Sequence, residues 1–427
     1  MSIHLQNNNV IRKIHQTGVI SVATASVVNK IVAFVCNIVI VRFVTQDEYG
    51  IFGAANNVLE IALLVTGLGI LSGVMQFASE KRPENEKREY EKFGLIFGLT
   101  VDVVLTCILL LYGMLRLHPI KEANYYVLLL APTVLFHFFF EYCGVLLRSH
   151  KSINKYAVLL NVNSITLSLL PCVGAYVLGI QGLVLGRTFA YLMGDAIGWA
   201  FTKDELSTFF VTKKLSTLNR KSILRFSGAN CVSGALNRLL YLIDTLMISY
   251  LVVAPRDVAI YRVGTQIPEA LEFIPYSILV AVMPLVIEHN NDPLWLKRWI
   301  KKLYLYSLIL NTLITAILFF GAHYIVTLFW GRQYIDSVPV FQILSINYLI
   351  MASFRQIGTN VLSALRHVKY NMVISIICCI INFIADYFFI KKFGMIGAAY
   401  ATVLVVVIAS LLTFPYVLIC VYGRKQK

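Results

Sequence analysis

Three features of this sequence predict an all-α polytopic membrane protein, with 12 transmembrane helices in two parallel six-helix bundles. Apolar runs fill the chain almost from end to end, Lys and Arg gather on alternate connectors, and the second half repeats the first. Of the 427 residues 58% are hydrophobic and 14% charged, against roughly 25% charged in an average soluble domain. Each run holds about 20 residues or more, the length a helix needs to cross roughly 30 Å of hydrocarbon at about 1.5 Å per residue. Strands are excluded, because a membrane barrel needs segments of alternating polarity and a stretch such as Val373 to Ile381 is apolar almost throughout.

The first span, 18–44, follows a polar stretch and is too long for a signal-peptide core, so it is kept as a helix. Spans 51–76 and 93–115 flank a basic connector holding Lys81, Arg82, Lys87, Arg88 and Lys92. Spans 124–147 and 156–178 flank Arg148, Lys151 and Lys155, and 182–201 completes the first six. The second six are 226–251, 259–287, 303–328, 338–364, 370–390 and 395–420. The longest connector, 202–225, reads as a cytoplasmic linker between an N-terminal lobe, 1–201, and a C-terminal lobe, 226–427.

A formal charge of +15 would suggest nucleic acid in a soluble protein, but here placement decides its meaning. Of 37 Lys and Arg, 25 fall at the termini or on even-numbered connectors and seven on the opposite side. Both termini, with Arg12, Lys13, Arg424, Lys425 and Lys427, are therefore expected in the cytoplasm. The remaining five, Lys30, Arg187, Arg238, Arg262 and Arg355, lie within apolar runs. The eight Cys sit in or at the edges of spans, which implies no disulfide framework. The His residues lack metal-ligand spacing, and no nucleotide-binding, kinase or hydrolase motif is present, so no metal, cofactor or enzyme activity is expected.

An even number of spans per half requires any repeat to be parallel, related by an axis along the membrane normal. Asn29-Lys30 corresponds to Asn237-Arg238, Ile51-Phe52 to Ile260-Tyr261, and Glu60 to Glu269. Further on, Lys155-Tyr156 corresponds to Lys369-Tyr370, and Gly179-Ile180-Gln181-Gly182 to Gly394-Met395-Ile396-Gly397. The matches keep the same order through both halves.

The stretch Val41-Arg42-Phe43-Val44-Thr45-Gln46-Asp47-Glu48-Tyr49-Gly50-Ile51-Phe52 resembles the signature "R-x-L-G-P-E-E-Y-G-x-Y" that ends the first helix of polysaccharide flippases. It departs from that pattern at Phe43 to Gln46. Arg256 to Tyr261 resembles the second-half counterpart "E-V-G-x-Y", with Ala259 in place of Gly. Trp330-Gly331-Arg332-Gln333-Tyr334 resembles "F-G-x-x-Y", and Gly394 to Thr402 resembles "G-x-x-G-A-A-x-A-T". In this order the motifs are similar to those of the Wzx-type O-antigen flippases, in the multidrug/oligosaccharidyl-lipid/polysaccharide (MOP) exporter superfamily. The resemblance implies a MATE-like, V-shaped pair of bundles in the bacterial inner membrane. It would move undecaprenyl-diphosphate-linked oligosaccharide, an O-antigen or capsular unit, to the periplasmic leaflet, with the pathway's polymerase and chain-length regulator as partners. Nucleic acid is not an expected partner.

An ionised side chain near the bilayer centre costs roughly 2.5–3.5 kcal/mol on insertion scales, so it normally faces a cavity or a partner. Lys30 and Arg238 each lie about twelve residues, roughly 18 Å, into the first helix of their half. Under the repeat they face one another across the pseudo-twofold axis, a site suited to a diphosphate. Arg262, Gln266 and Glu269 share a face of the eighth span, where Pro268 predicts a break, and Arg42 sits at the periplasmic mouth. Lys30, Arg238, Arg262 and Arg42 are thus the candidate substrate-binding residues. Glu60, Asp102, Asp244, Glu269 and Glu272 are candidates for ion coupling, since a carboxylate in low dielectric is poised to bind a proton or sodium. The alternative is internal pairing, Arg238 with Asp244, Lys30 with Glu60, and Arg355 with Glu141. Tyr241 and Tyr261 are candidates for stacking on sugar. A cation-coupled multidrug or small-solute exporter remains the competing function, and cavity charge discriminates between the two.

Overall fold

A computed structural model describes residues 19–290 and 292–423. The terminal cations Arg12, Lys13, Arg424, Lys425 and Lys427, and the side chain of Asn237, lie outside the described residues. Among those described, every regular element is a helix. In chain order these are α1 (Val19–Phe43), α2 (Gln46–Leu63), α3 (Ile70–Ser79), α4 (Glu84–Met114), α5 (Ala123–Leu130), α6 (Thr133–Ser149), α7 (Ile153–Ser207) and α8 (Thr217–Leu251). They continue with α9 (Pro255–Leu271), α10 (Phe273–Glu288), α11 (Pro293–Trp330), α12 (Val338–Ile350), α13 (Gln356–Ala364), α14 (Val368–Phe393) and α15 (Met395–Tyr422).

Among the described residues nine helices are long and apolar enough to cross a membrane, or ten if the bent pair within α8 is one span. The expected twelve is not itself counted out among the described residues. The 58-residue stretch Ile153–Phe210 counts once, although Gly179 divides it with φ 59° and ψ −139°. α1 stands beside the counted helices as a further apolar segment.

The two glycine breaks reproduce the repeat at the level of the backbone. Gly394, between α14 and α15, has φ 61° and ψ −145°, nearly the values of Gly179, its sequence counterpart. This region of φ/ψ space is open essentially to glycine alone. Three residues after each break a second glycine lets the chain fold back on itself. A Cβ on Gly182 would lie 2.0 Å from the Gly174 carbonyl oxygen, and one on Gly397 would lie 2.1 Å from that of Phe389.

Packing separates the chain into two compact units. The first comprises residues 1–45, 65–115 and 125–231, the second 46–64, 116–124 and 232–427. The core of the first is built from Ile70, Val74, Tyr90, Phe138, Tyr142 and Ile223. That of the second includes Leu279, Leu296, Ile300, Val361 and Val417. Most of the remaining large apolar side chains are exposed, as on Val104, Ile108, Leu313 and Phe388, the outward-facing surface that hydrocarbon rather than water solvates.

Helix α2 is grouped with the second unit because it packs along α9. A Cβ on Gly50 would lie 1.8 Å from the Pro255 carbonyl oxygen, so only glycine permits this approach. Sequence-separated motifs meet here. Gln46 Nε2 donates to the Gln333 carbonyl at 2.5 Å, and Arg256 pairs with Asp336 at 2.7 Å. α9 and α10 are interrupted at Glu272, four residues beyond the helix-internal Pro268.

Candidate translocation site

In the second unit, three helices converge polar side chains on a carboxylate carried by a fourth. Asp244 on α8 is 6% exposed, and a buried carboxylate must find donors or a cation. The Tyr261 hydroxyl on α9 donates to its Oδ2 at 2.6 Å, the Thr402 hydroxyl on α15 donates to the same oxygen, and Asn382 Nδ2 on α14 donates to Oδ1 at 3.0 Å. One turn on, Asp386 accepts from the same Asn382 amide at 3.1 Å through Oδ2, while its Oδ1 has no hydrogen-bond partner. Asp386 is fully buried. Two carboxylates bridged by one amide, with an oxygen left over, form a hard-oxygen cluster suited to a proton or a small cation.

This cluster borders a cavity lined also by Tyr241, Glu269, Glu272, Asn347, Tyr348 and Arg355. Arg355 ends a π-helical turn, Met351–Arg355, between α12 and α13. Such turns re-aim a side chain by widening the helix. Arg355 is within electrostatic range of Glu272, whereas Glu141 is grouped with Arg148 in the first unit. The cavity carries Asp244, Glu269 and Glu272 against the one Arg.

The candidate cations fall in different settings. Arg238 pairs with Glu60 at 3.2 Å, in place of the anticipated Asp244. Its side chain is 67% exposed and that of Glu60 16%, so the guanidinium stays available to an anion. Arg262 is held by α2: its Nη1 donates to the Gly53 carbonyl at 3.1 Å, and its guanidinium lies over the rings of Tyr49 and Phe52, 5.5 and 5.8 Å from their centroids. Gln266 Nε2 donates to the Tyr49 hydroxyl at 2.9 Å. Arg262 thus ties α2 to α9. Lys30 and Arg42 are exposed, both in the first unit.

Asp102 stands apart on α4 in the first unit, fully buried. Of the tyrosines considered for sugar stacking, Tyr261 is 2% exposed and engaged with Asp244. Tyr241 is 53% exposed and lines the cavity. Sequence reasoning missed Asp386, and it noted Arg355 as an intramembrane cation without placing it in the site. Asn382 and Asp386, spaced i and i+4 on an apolar helix, share one face, and that spacing was the available signal. The π-turn under Arg355 has none.

The family described as "Polysaccharide biosynthesis protein" matches residues 16–290, and the family described as "MatE" matches residues 230–388. The chain belongs to the polysaccharide biosynthesis protein family. Among solved structures, it is similar to the lipid II flippase MurJ in an inward closed conformation, with a TM-score of 0.75 and 15% identity over 94% of this chain and 87% of that one. It is equally similar to an inward-facing multidrug resistance MATE family transporter of the MOP superfamily, with a TM-score of 0.75 and 12% identity over 92% and 95%. A MOP superfamily transporter from Pyrococcus furiosus gives 0.58 at 13% identity over 94% and 93%. An uncharacterized membrane protein of Methanocaldococcus jannaschii is 29% identical over 154 residues, which span 34% of this chain and 29% of that protein. The two solved structures first named are a flippase and a transporter, and this chain shares their multi-pass helical fold.

Proposed function

We propose that the chain moves undecaprenyl-diphosphate-linked oligosaccharide repeat units from the cytoplasmic to the periplasmic leaflet of a bacterial inner membrane, by alternating access of its two lobes. The observation that carries this reading is the polysaccharide biosynthesis match over residues 16–290. The exposed Arg238, held but not covered by Glu60, supports it from the side of chemistry: a guanidinium binds phosphate oxygens through paired, charge-assisted hydrogen bonds. Lys30 and Arg42 offer further exposed cations in the first unit. With the cytoplasm negative, outward movement of a net anion is favoured by about 2.3 kcal/mol per charge per 100 mV if the charge crosses the full field. O-antigen or capsular precursors are the proposed cargo, and the polymerase and chain-length regulator of such a pathway the proposed partners.

A second reading has its own observation. The cavity of the second unit holds Asp244, Glu269 and Glu272 around one Arg355, and an acidic cavity suits a cation. We assign that cavity to a coupling proton or sodium ion, with Asp244 in its lining and Asp386 joined to it through Asn382; in a multidrug exporter it would receive the drug itself. Reconstitution into liposomes with a fluorescent polyprenyl-diphosphate oligosaccharide separates the two. Wild-type protein is expected to move the lipid, and Arg238→Ala to slow it several-fold. Extrusion of a cationic dye with no movement of the lipid would exchange the first reading for the second.

A further inference from the structure

The second apolar span is broken in its middle. After α2 the residues Gly67, Leu68 and Gly69 take φ values of 51°, 47° and 72°, three successive left-handed positions before α3 begins. A non-helical backbone at membrane depth is tolerated only where its polar groups find partners inside the protein. Here α4 supplies them. Asp102 Oδ1 accepts from the Gly67 N–H at 2.7 Å and Oδ2 from the Thr66 hydroxyl at 2.5 Å. Asp102 lies twelve residues before the end of α4 at Met114, about 18 Å along the helix, which places it deep in the apolar part of the span.

The break also falls where the chain changes units. Of the five places where the chain passes between the units, one lies between Leu64 and Val65 and another between Cys231 and Val232 on α8. α8 is bent by 63° a little further on, between Thr217–Leu236 and Tyr241–Leu251. The two crossings abut inside the first unit. A Cβ on Gly69 would lie 2.7 Å from the Ser227 carbonyl oxygen and 2.8 Å from Cys231 Cβ, and one on Gly73 would lie 2.3 Å from Ser227 Oγ. Two of the five crossings, after Leu64 and after Cys231, therefore lie beside the point that Asp102 holds.

We propose that Asp102 is a positioning residue of the transport cycle, a carboxylate clamp on the hinge of the second span that is released when it takes up a proton. This deepens the flippase reading and rests on it. Charge-assisted hydrogen bonds are roughly twice as strong as neutral ones. A protonated Asp102 keeps one accepting oxygen for Gly67, turns the other into a donor, and forces the Thr66 hydroxyl to reorient. No cation has to be displaced for this. The break, α3 and the turn Thr208–Phe210 carry no ionisable side chain, and they pack on α4 with α6. On α6, His137 sets its ring against Tyr191, Arg148 lies over Tyr156 near Glu141, the Tyr142 hydroxyl donates to the Glu91 carbonyl, and Cys143 meets Thr202. Arg220, from the start of α8, lies over Phe93 toward the Glu84 end of α4.

The test reads the hinge directly. Spin labels on ketone-bearing unnatural residues replacing Lys81 and Leu294, one exposed position in each unit, leave the native cysteines untouched. Distance distributions of the full chain in nanodiscs are measured from acidic to alkaline pH. The wild type is expected to exchange two populations with pH, Asp102→Asn to show a single pH-independent distribution, and Thr66→Val to keep the exchange with its midpoint moved by about one pH unit, the size of one lost hydrogen bond to a charge. Thr66→Val decides the question should Asp102→Asn fail to fold. A wild type without pH dependence, or an Asp102→Asn or Thr66→Val indistinguishable from it, overturns the proposal. Flipping assays on the same samples separate this outcome from the function: pH-dependent distances without movement of the lipid would leave the hinge standing and remove the flippase reading.

Discussion

Replacing Asp244 tests the hard-oxygen cluster through stability, independently of transport. In Asp244→Ala the Thr402 hydroxyl keeps its bond to the Ala398 carbonyl at 3.0 Å, and Asn382 keeps Asp386 at 3.1 Å. The Tyr261 hydroxyl, on a side chain 2% exposed, loses the acceptor it now has at 2.6 Å. One buried donor left unsatisfied costs about 1–3 kcal/mol, and removal of a buried charge recovers part of that, so Asp244→Ala is expected to destabilise by about 1–2 kcal/mol. The larger effect concerns the ion. A cation that binds only the folded protein adds about 2.7 kcal/mol at a hundred times its dissociation constant, and that increment should vanish without Asp244. The assay is thermal unfolding in detergent, read by a thiol-reactive dye that reports exposure of the buried Cys143 and Cys378. Sodium is exchanged for choline at constant ionic strength, and the pH is varied separately. Wild type should gain stability from sodium or from protons, and Asp244→Asn should gain from neither. If Asp244→Asn responds to both as the wild type does, the cluster is not the ion site.

Other consequences can be checked alongside it. Gly179→Ala and Gly394→Ala should each lower stability by about 1–3 kcal/mol or more in the same thermal assay, because both residues sit in a glycine-only region of backbone space. Gly50→Ala should prevent α2 from packing on α9, since its Cβ would meet the Pro255 carbonyl at 1.8 Å; loss of folded protein on size-exclusion chromatography would show it. Arg238→Ala should leave the melting temperature nearly unchanged, as an exposed ion pair contributes about 0–1 kcal/mol, while slowing movement of the lipid-linked sugar. His150, in the connector after α6, is held above the usual imidazole range by its 3.0 Å contact with the buried Glu91, with burial opposing the shift. A raised histidine value contributes stability that is complete below about pH 6.5 and is lost as pH rises through the folded value; His150→Gln should flatten that part of the stability profile.

How much of this was legible in the sequence follows from the range of the forces involved. Spans are local: about 20 apolar residues suffice to define one, and the apolar runs read from the sequence lie mainly in helices where they are described, with short interruptions such as the one at 64–69. The glycines of the repeat were equally readable, because a backbone conformation that excludes side chains marks the sequence directly at Gly179 and Gly394. The break at Thr66–Gly69 was not. Its apolar residues continue a span without interruption, and the group that stabilises the break, Asp102, lies 35 positions further along. Ion pairing escaped for the same reason. Arg238 has Glu60 as its partner across 178 positions, and only packing of α2 with the second unit brings them together.

The repeat also gives meaning to a difference between the halves. Segments it relates, around Gly50 to Gly53 and Pro255 to Arg262, pack against each other within the second unit, and Glu60 and its counterpart Glu269 both belong to that unit. Each is followed by an interruption of its span, but the two are unequal. After α9 the interruption is shallow, with Glu272 still near helical values at φ −57° and ψ −21°. After α2 it is a turn of three left-handed residues that needs a carboxylate from another helix to satisfy it. Closely packed interiors change between discrete arrangements rather than bending evenly. A change of conformation in this transporter should therefore concentrate at the first break, where the local backbone is already non-helical and one ionisable group holds it, while the second transmits motion as a nearly rigid helix.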